Sequence, residues 1–117
     1  GTSVITYITD LRIKKAKDLL EHSDLKTFEI SDAVGIHDPA YFSVLFKKYT
    51  GMTIFQYLNE FRILCSQEML RSSHITLREI ALENGFVNEF YFSRVFKKIT
   101  GNTPTDYRLS FLDFPDK

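Results

Sequence analysis

Two short stretches of this 117-residue sequence carry side chains that suit contact with a polyanion. Residues 41–51 contain two lysines and no acidic residue, and residues 90–101 contain two lysines and Arg94, again with no acid. Lysine and arginine neutralise phosphates, and arginine also binds base edges in the DNA major groove. The two stretches therefore predict contact with nucleic acid, even though the chain as a whole, with 15 basic and 15 acidic residues, is neutral.

The other reactive side chains show no catalytic or metal-binding pattern. The three histidines (His22, His37 and His74) are scattered and have no cysteine or acidic partner at the spacing of zinc ligands. No glycine-rich phosphate loop or nucleophile motif occurs. Cys65 lies among apolar residues, which indicates a packed thiol rather than a reactive one. We therefore predict no catalytic residue, no metal, no cofactor and no enzymatic activity.

Composition indicates a folded intracellular chain. Hydrophobic residues make up 44% of it, and 11 Phe and 6 Tyr can fill a core. No apolar run approaches the roughly 20 residues that span a bilayer, and no signal-peptide pattern opens the chain. A single cysteine excludes an internal disulfide and suits a reducing compartment. These features predict a cytoplasmic protein without membrane contact.

An internal repeat organises the chain. A shift of fifty positions places the run 41–43 (Tyr-Phe-Ser) on 91–93, and the run 46–48 (Phe-Lys-Lys) on 96–98, without gaps. Gly35 falls on Gly85 in the same alignment. Two copies are fewer than a solenoid needs, so the repeat predicts two similar subdomains.

Each copy reads as a long amphipathic helix, a short helix, a glycine turn and another helix. This order is that of a helix-turn-helix, with Thr27 and Thr76 as expected caps of the short helices. The predicted fold is all-α, with two helix-turn-helix subdomains joined by a long connecting helix, about seven helices in total. The expected divisions are 4–53 for the first subdomain, 54–72 for the connecting helix, 73–112 for the second subdomain and 113–117 for a polar tail.

The last helix of each helix-turn-helix has two faces. Aromatic and aliphatic residues recur at i, i+3, i+4 and i+7 from Phe42 and from Phe92, which predicts a core stripe. The opposite faces carry small, polar or basic side chains, which suit a helix that enters a major groove. Phe90 is an unusual member of such a face, and contact with a thymine methyl group would explain it.

These residues resemble the DNA-binding domain of AraC/XylS-type transcriptional regulators. The resemblance covers about residues 7–108 and is most specific from Ile80-Ala81 through Gly85-Phe86 and the run 91–98 to Thr103-Pro104 and Tyr107-Arg108. It implies two helix-turn-helix units that bind successive major-groove segments of double-stranded promoter DNA. It also implies a bacterial regulator, RNA polymerase as a further partner, and a sensing or dimerisation domain that this chain lacks.

The resemblance also assigns roles by position. It places reading helices at about residues 38–49 and 88–99. The base-reading residues would be Asp38, Ala40, Ser43, Val44, Asn88, Glu89, Phe90, Ser93 and Arg94. The phosphate contacts would be Lys47, Lys48, Lys97 and Lys98. Val44 stands where the second copy has Arg94, and this departure from the family's pattern argues against strong base reading by the first copy.

Two other functions are compatible with the sequence. The basic helix ends are suited to an acidic protein partner, which would make the chain a helical protein-interaction module. Some alkyl-repair proteins join such a domain to a reactive cysteine, which here would require Cys65 to be exposed. A gel shift with promoter DNA separates the first alternative from DNA binding, and slow labelling of the native thiol would exclude the second.

Overall fold

The computed structural model describes residues 3–111, which form helices, turns and loops with no strand among them. The predicted all-α class with seven helices is confirmed for this range. The predicted polar tail, 113–117, lies outside the described residues. The helices are α1 (Val4–His22), α2 (Thr27–Ala33), α3 (Pro39–Thr50), α4 (Ile54–Ser72), α5 (Leu77–Glu83), α6 (Glu89–Thr100) and α7 (Pro104–Ser110).

The chain divides into two compact units whose boundary falls between Leu58 and Asn59. Unit 1, the part up to Leu58, contains α1, α2, α3 and the first residues of α4. Unit 2, the part from Asn59, contains the remainder of α4 with α5, α6 and α7. The boundary therefore lies inside the helix that joins the two parts, rather than at one of its ends.

Side-chain caps define where the two helices of greatest interest begin. Asp38 Oδ1 accepts hydrogen bonds from the Ala40 and Tyr41 amides at 3.0 and 3.3 Å, at the start of α3. Asn88 Oδ1 accepts one from the Tyr91 amide at 2.8 Å, at the start of α6. These oxygens satisfy amides that have no partner inside the helix, so they fix the first residue of each helix.

Thr76 caps α5, since its Oγ1 accepts a hydrogen bond from the Glu79 amide at 3.1 Å. The expectation for Thr27 was wrong, because this residue is the first of α2 and Lys26 holds the N-cap position. Glu29 turns back and accepts a hydrogen bond from the Lys26 amide at 2.8 Å. A backbone amide can thus be satisfied by a side chain within the first turn when the cap residue has no acceptor.

A glycine with positive φ turns the chain from the short helix to the next helix in each unit. Gly35 has φ 85° and Gly85 has φ 84°, a region that side chains with a Cβ rarely adopt. Space is a second constraint, because a Cβ on Gly35 would lie 3.3 Å from the Arg12 guanidinium. A Cβ on Gly85 would lie 3.1 Å from Arg62 Nε. The positive φ is therefore the main reason for glycine at both turns, and a Cβ would in addition have to displace the tip of an arginine side chain by a few tenths of an ångström.

Each unit has its own core, and six of the eight buried residues in each core occupy equivalent positions of the repeat. Phe46 packs edge-on against Tyr57 with ring centroids 5.5 Å apart, and Phe96 packs against Tyr107 in the same way at 5.4 Å. The buried core of unit 1 consists of Ile13, Ala16, Leu20, Ile30, Val34, Ile36, Phe42 and Phe46. That of unit 2 consists of Ile63, Leu70, Ile80, Ala81, Phe86, Phe92, Val95 and Phe96.

Candidate nucleic-acid interface

The helix α6 presents one basic and aromatic face to solvent. Phe92 and Phe96 are fully buried and anchor the opposite face of the helix in the core. Phe90 is 75% exposed, and Arg94, four residues further along the helix, is exposed as well. Lys97 is exposed one turn beyond Arg94. Since residues three and four apart share a helix face, these three side chains form a single outward surface.

The helix α3 presents the equivalent face with different side chains. Phe42 and Phe46 are buried, as their counterparts in α6 are. Ala40, Val44 and Lys47 occupy the outward positions, and all three are exposed, with Val44 at 63%. On this surface Lys47 supplies a cation at the C-terminal end of the helix, and the side chains before it, Ala40 and Val44, are apolar.

The structure separates the nine residues predicted to read bases into three groups. Two of them, Asp38 and Asn88, hold helix starts with a side-chain oxygen, so that oxygen is not free for a base. Glu89 and Ser93 are half-buried. The remaining five are exposed on the outward faces: Ala40, Ser43, Val44, Phe90 and Arg94.

The four lysines predicted to contact phosphate are exposed and lie in the last turn of α3 or α6. Within residues 3–111 none of the four ammonium groups takes part in an ion pair or a side-chain hydrogen bond, so they remain available to a ligand. A cation in the last turn also interacts favourably with the helix dipole, which gives these positions a structural benefit of their own. The residues concerned are Lys47, Lys48, Lys97 and Lys98.

Unit 1 has an apolar depression beside α3 that the sequence did not indicate. Val44 lines it together with Phe55 and Leu58 of α4, and Phe55 is 64% exposed. In unit 2 the positions of Val44 and Phe55 are held by Arg94 and Thr105, so the same place is polar there. The apolar lining of this depression is therefore not repeated at the equivalent positions of unit 2.

Val87 is an exposed residue that the sequence reasoning overlooked. It directly precedes the cap Asn88, a position where an apolar side chain often packs against the fourth residue of the helix, here Phe92. Instead Val87 is 77% exposed. The equivalent residue of unit 1 is His37, whose Nδ1 lies 2.5 Å from Asp32 Oδ1.

Other chemistry finds little support in the described part of the chain. Among residues 3–111 no group of three His, Cys, Asp or Glu side chains comes together to hold a metal ion. No helix in that range is both long and apolar enough to cross a membrane. Cys65 is half-buried in α4, which agrees with a packed rather than an open thiol.

Comparison with known proteins identifies the architecture. The family model described as "Helix-turn-helix domain" matches the chain twice, over residues 1–54 and 43–110. The transcriptional activator RhaR of Salmonella heidelberg is 45% identical over 53 residues, which are 45% of this chain and 19% of RhaR. RhaR of Salmonella typhi matches equally. The chain therefore spans about a fifth of the length of these relatives.

Several solved structures are similar to this chain over most of its length. The C-terminal domain of the response regulator AraT from Geobacillus stearothermophilus has a TM-score of 0.74 at 25% identity, with 98% of this chain and 94% of that one covered. A regulator from Chromobacterium violaceum, described as AraC-type, has a TM-score of 0.81 at 24% identity, with 91% and 96% covered. The DNA-binding domain of AdpA, solved with a target DNA, has a TM-score of 0.71 at 21% identity, with 88% and 91% covered.

Proposed function

Because the chain belongs to the family of AraC-type helix-turn-helix domains, we propose that α3 and α6 are the helices with which it reads double-stranded DNA. The family consists of DNA-binding domains of transcription regulators. The chain is accordingly a DNA-binding module of such a regulator and not an enzyme. Each reading helix enters one segment of the major groove, which is wide enough to admit an α-helix.

The outward face of α6 is the observation that best supports this function. Its Phe90, Arg94 and Lys97 are all exposed, while the buried Phe92 and Phe96 fix the orientation of the helix on its unit. A rigidly held helix with an arginine in the middle of its free face has the geometry for a bidentate contact to guanine. In a chain with no net charge, this concentration of basic groups is a local feature.

Base contacts and phosphate contacts have separate tasks in this proposal. The four lysines in the last turns bind phosphates, which supply affinity and its dependence on salt but no sequence information. The exposed side chains nearer the helix starts meet base edges and supply specificity. Since the lysines are few and the chain is neutral overall, we expect modest affinity for random DNA and a shallow salt dependence.

The remainder of the regulator is part of the proposal as well. The chain corresponds to 19% of RhaR, so we expect it to work joined to a sensing or dimerisation domain of the same protein. RNA polymerase bound at the promoter is the expected protein partner, and the cytoplasm the expected location.

Selection from a random duplex library tests the function. The 117-residue chain should enrich a defined sequence, and fluorescence anisotropy should show tighter binding to that duplex than to a scrambled one of equal length. Affinity for both duplexes should fall as salt rises, because phosphate contacts release counterions. Absence of enrichment together with salt-independent binding would contradict DNA binding and favour a module that binds an acidic protein.

A further inference from the structure

Two exposed apolar side chains flank the cap of α6 and have no structural task. Val87 precedes Asn88 and is 77% exposed, and Phe90 follows it at 75%. Neither belongs to the core of unit 2. Burial of these two side chains against a ligand would be favourable, because it would remove apolar surface from water.

Their position indicates which ligand. Phe90 shares a helix face with the exposed Arg94, so it continues the surface with which α6 is proposed to read DNA, and Val87 precedes the cap of the same helix. In a helix-turn-helix the N-terminal residues of the reading helix contact base edges. The major-groove edges of adenine, guanine and cytosine offer hydrogen-bonding groups, and only thymine also offers an apolar group, its C5 methyl.

We propose that Val87 and Phe90 bind thymine methyl groups, so that the half-site read by α6 contains thymines recognised by these methyls. An apolar side chain placed against any other base edge would leave donors or acceptors without a partner, which is costly. Unit 1 lacks the device, because the equivalent positions hold the polar His37 and the small Ala40. The inference rests on the proposed function and specifies the bases read by one of its two helices.

Deoxyuridine scanning tests the proposal, because deoxyuridine differs from thymidine only by the missing methyl group. Each thymine of the selected duplex is replaced in turn, and binding of the unmodified 117-residue chain is measured by anisotropy. Loss of one buried methyl should weaken binding about threefold to fivefold at the contacted thymines and leave the other positions unchanged. Uniform tolerance of deoxyuridine in a duplex that is still bound specifically would overturn this inference and leave DNA binding intact.

Variants identify the side chains responsible. Phe90→Ala, Val87→Ala and the double change Val87→His with Phe90→Ala alter exposed positions, so helicity measured by circular dichroism should stay unchanged. Each single variant should lose its sensitivity to deoxyuridine at one thymine. The double variant copies the polar and small side chains of unit 1, and it should lose this sensitivity at both thymines. If the double variant were as sensitive to deoxyuridine as the unmodified chain, the assignment of Val87 and Phe90 to thymine methyl groups would be overturned.

Discussion

The outward faces of α3 and α6 present different side chains, although the two helices are built alike. Both helices are 12 residues long, start at a side-chain cap, end at a glycine and bury two phenylalanines. On the free side, however, α6 carries Phe90 and Arg94 where α3 carries Ala40 and Val44. The repeat therefore preserves what folds each unit and varies what each unit presents to a ligand.

This difference indicates an unequal division of base reading. An arginine can bind guanine through two hydrogen bonds, and a valine at the same place has only an apolar contact to give. Val44 also adjoins an apolar depression, whereas the equivalent place in unit 2 holds Arg94 and Thr105. We therefore expect α6 to dominate sequence recognition, while the last-turn lysines of both helices hold the phosphates alike.

The two units also differ in the hydrogen bond made by an equivalent tyrosine. Tyr57 donates a hydrogen bond to Glu21 in unit 1, whereas the equivalent Tyr107 accepts one from Arg71 in unit 2. Glu21 and Arg71 occupy equivalent positions of the repeat. The tyrosine ring packs on a core phenylalanine in both units, so the core tolerates opposite charges at its edge because the hydroxyl can both donate and accept.

The largest expected effect is a loss of stability, and it tests the buried phenylalanines, which the two units have in common. Phe42→Ala and Phe92→Ala each remove a fully buried ring, and each should lower the free energy of unfolding by about 3–5 kcal/mol. Urea unfolding followed by circular dichroism measures this loss. The exposed Tyr41 provides the control, since Tyr41→Ala should cost far less. A loss below about 1 kcal/mol at either phenylalanine would show that its core is not formed as described.

The next effect concerns the part in which the units differ. Arg94→Ala should weaken binding to the selected duplex by about 1–3 kcal/mol and relax the preference at one base position. Val44→Ala, the matched change in unit 1, should cost less, because it removes only a few apolar atoms from an exposed side chain. Anisotropy with selected and scrambled duplexes measures both. An equal loss on the two duplexes for Arg94→Ala would remove its base-reading role.

The phosphate contacts should be symmetric between the units. Lys47→Ala and Lys97→Ala should each weaken binding to selected and scrambled duplexes alike and reduce the salt slope by about 1, because each removes one released counterion. Titrations at several salt concentrations give the slope. A change in base preference caused by either lysine would mean that it contacts a base edge instead.

The smallest expected effect is a change in how stability depends on pH, and it distinguishes Tyr57 from Tyr107. Burial, and then the hydrogen bond to Glu21, raise the pKa of Tyr57 above its ordinary value. A raised pKa favours the protonated phenol in the folded state, so this stabilisation is complete below about pH 10 and declines as the pH rises above it. Stability measured by urea unfolding from pH 9 upward should fall less steeply in Tyr57→Phe. Tyr107→Phe serves as the control and should keep the steeper fall.

Local signals account for most of the fold that could be predicted. Asp38 and Asn88 stand at helix starts because their short polar side chains reach the nearby amides, which is a local property of the sequence. The turn glycines were expected because only glycine adopts positive φ without strain. Thr27 shows the limit of such signals, since α2 begins one residue earlier than a threonine cap would place it. A helix could begin after Lys26 or after Thr27, and the sequence alone did not distinguish these two starts.

The sequence predicted which face of each helix is exposed at the candidate site, but it did not predict the exposure of each residue there. The apolar period placed Phe42 and Phe92 in the cores, and the opposite faces followed from the helix geometry. The half-burial of Glu89 and Ser93 depends on neighbouring elements, so no local pattern revealed it. The same holds for Val87, whose side chain is exposed to solvent.

The sequence by itself determined the repeat, the seven helices, the two helix-turn-helix units and the face of each reading helix that meets solvent. These properties follow from interactions between residues at most a few positions apart, so their spacing in the chain is sufficient to specify them. Only the tertiary structure decided that Arg12 and Arg62 fill the space beside the turn glycines, that Glu21 reaches Tyr57, and that Val87 is exposed. Such contacts depend on how the helices of a unit pack, and that packing brings together residues far apart in the chain.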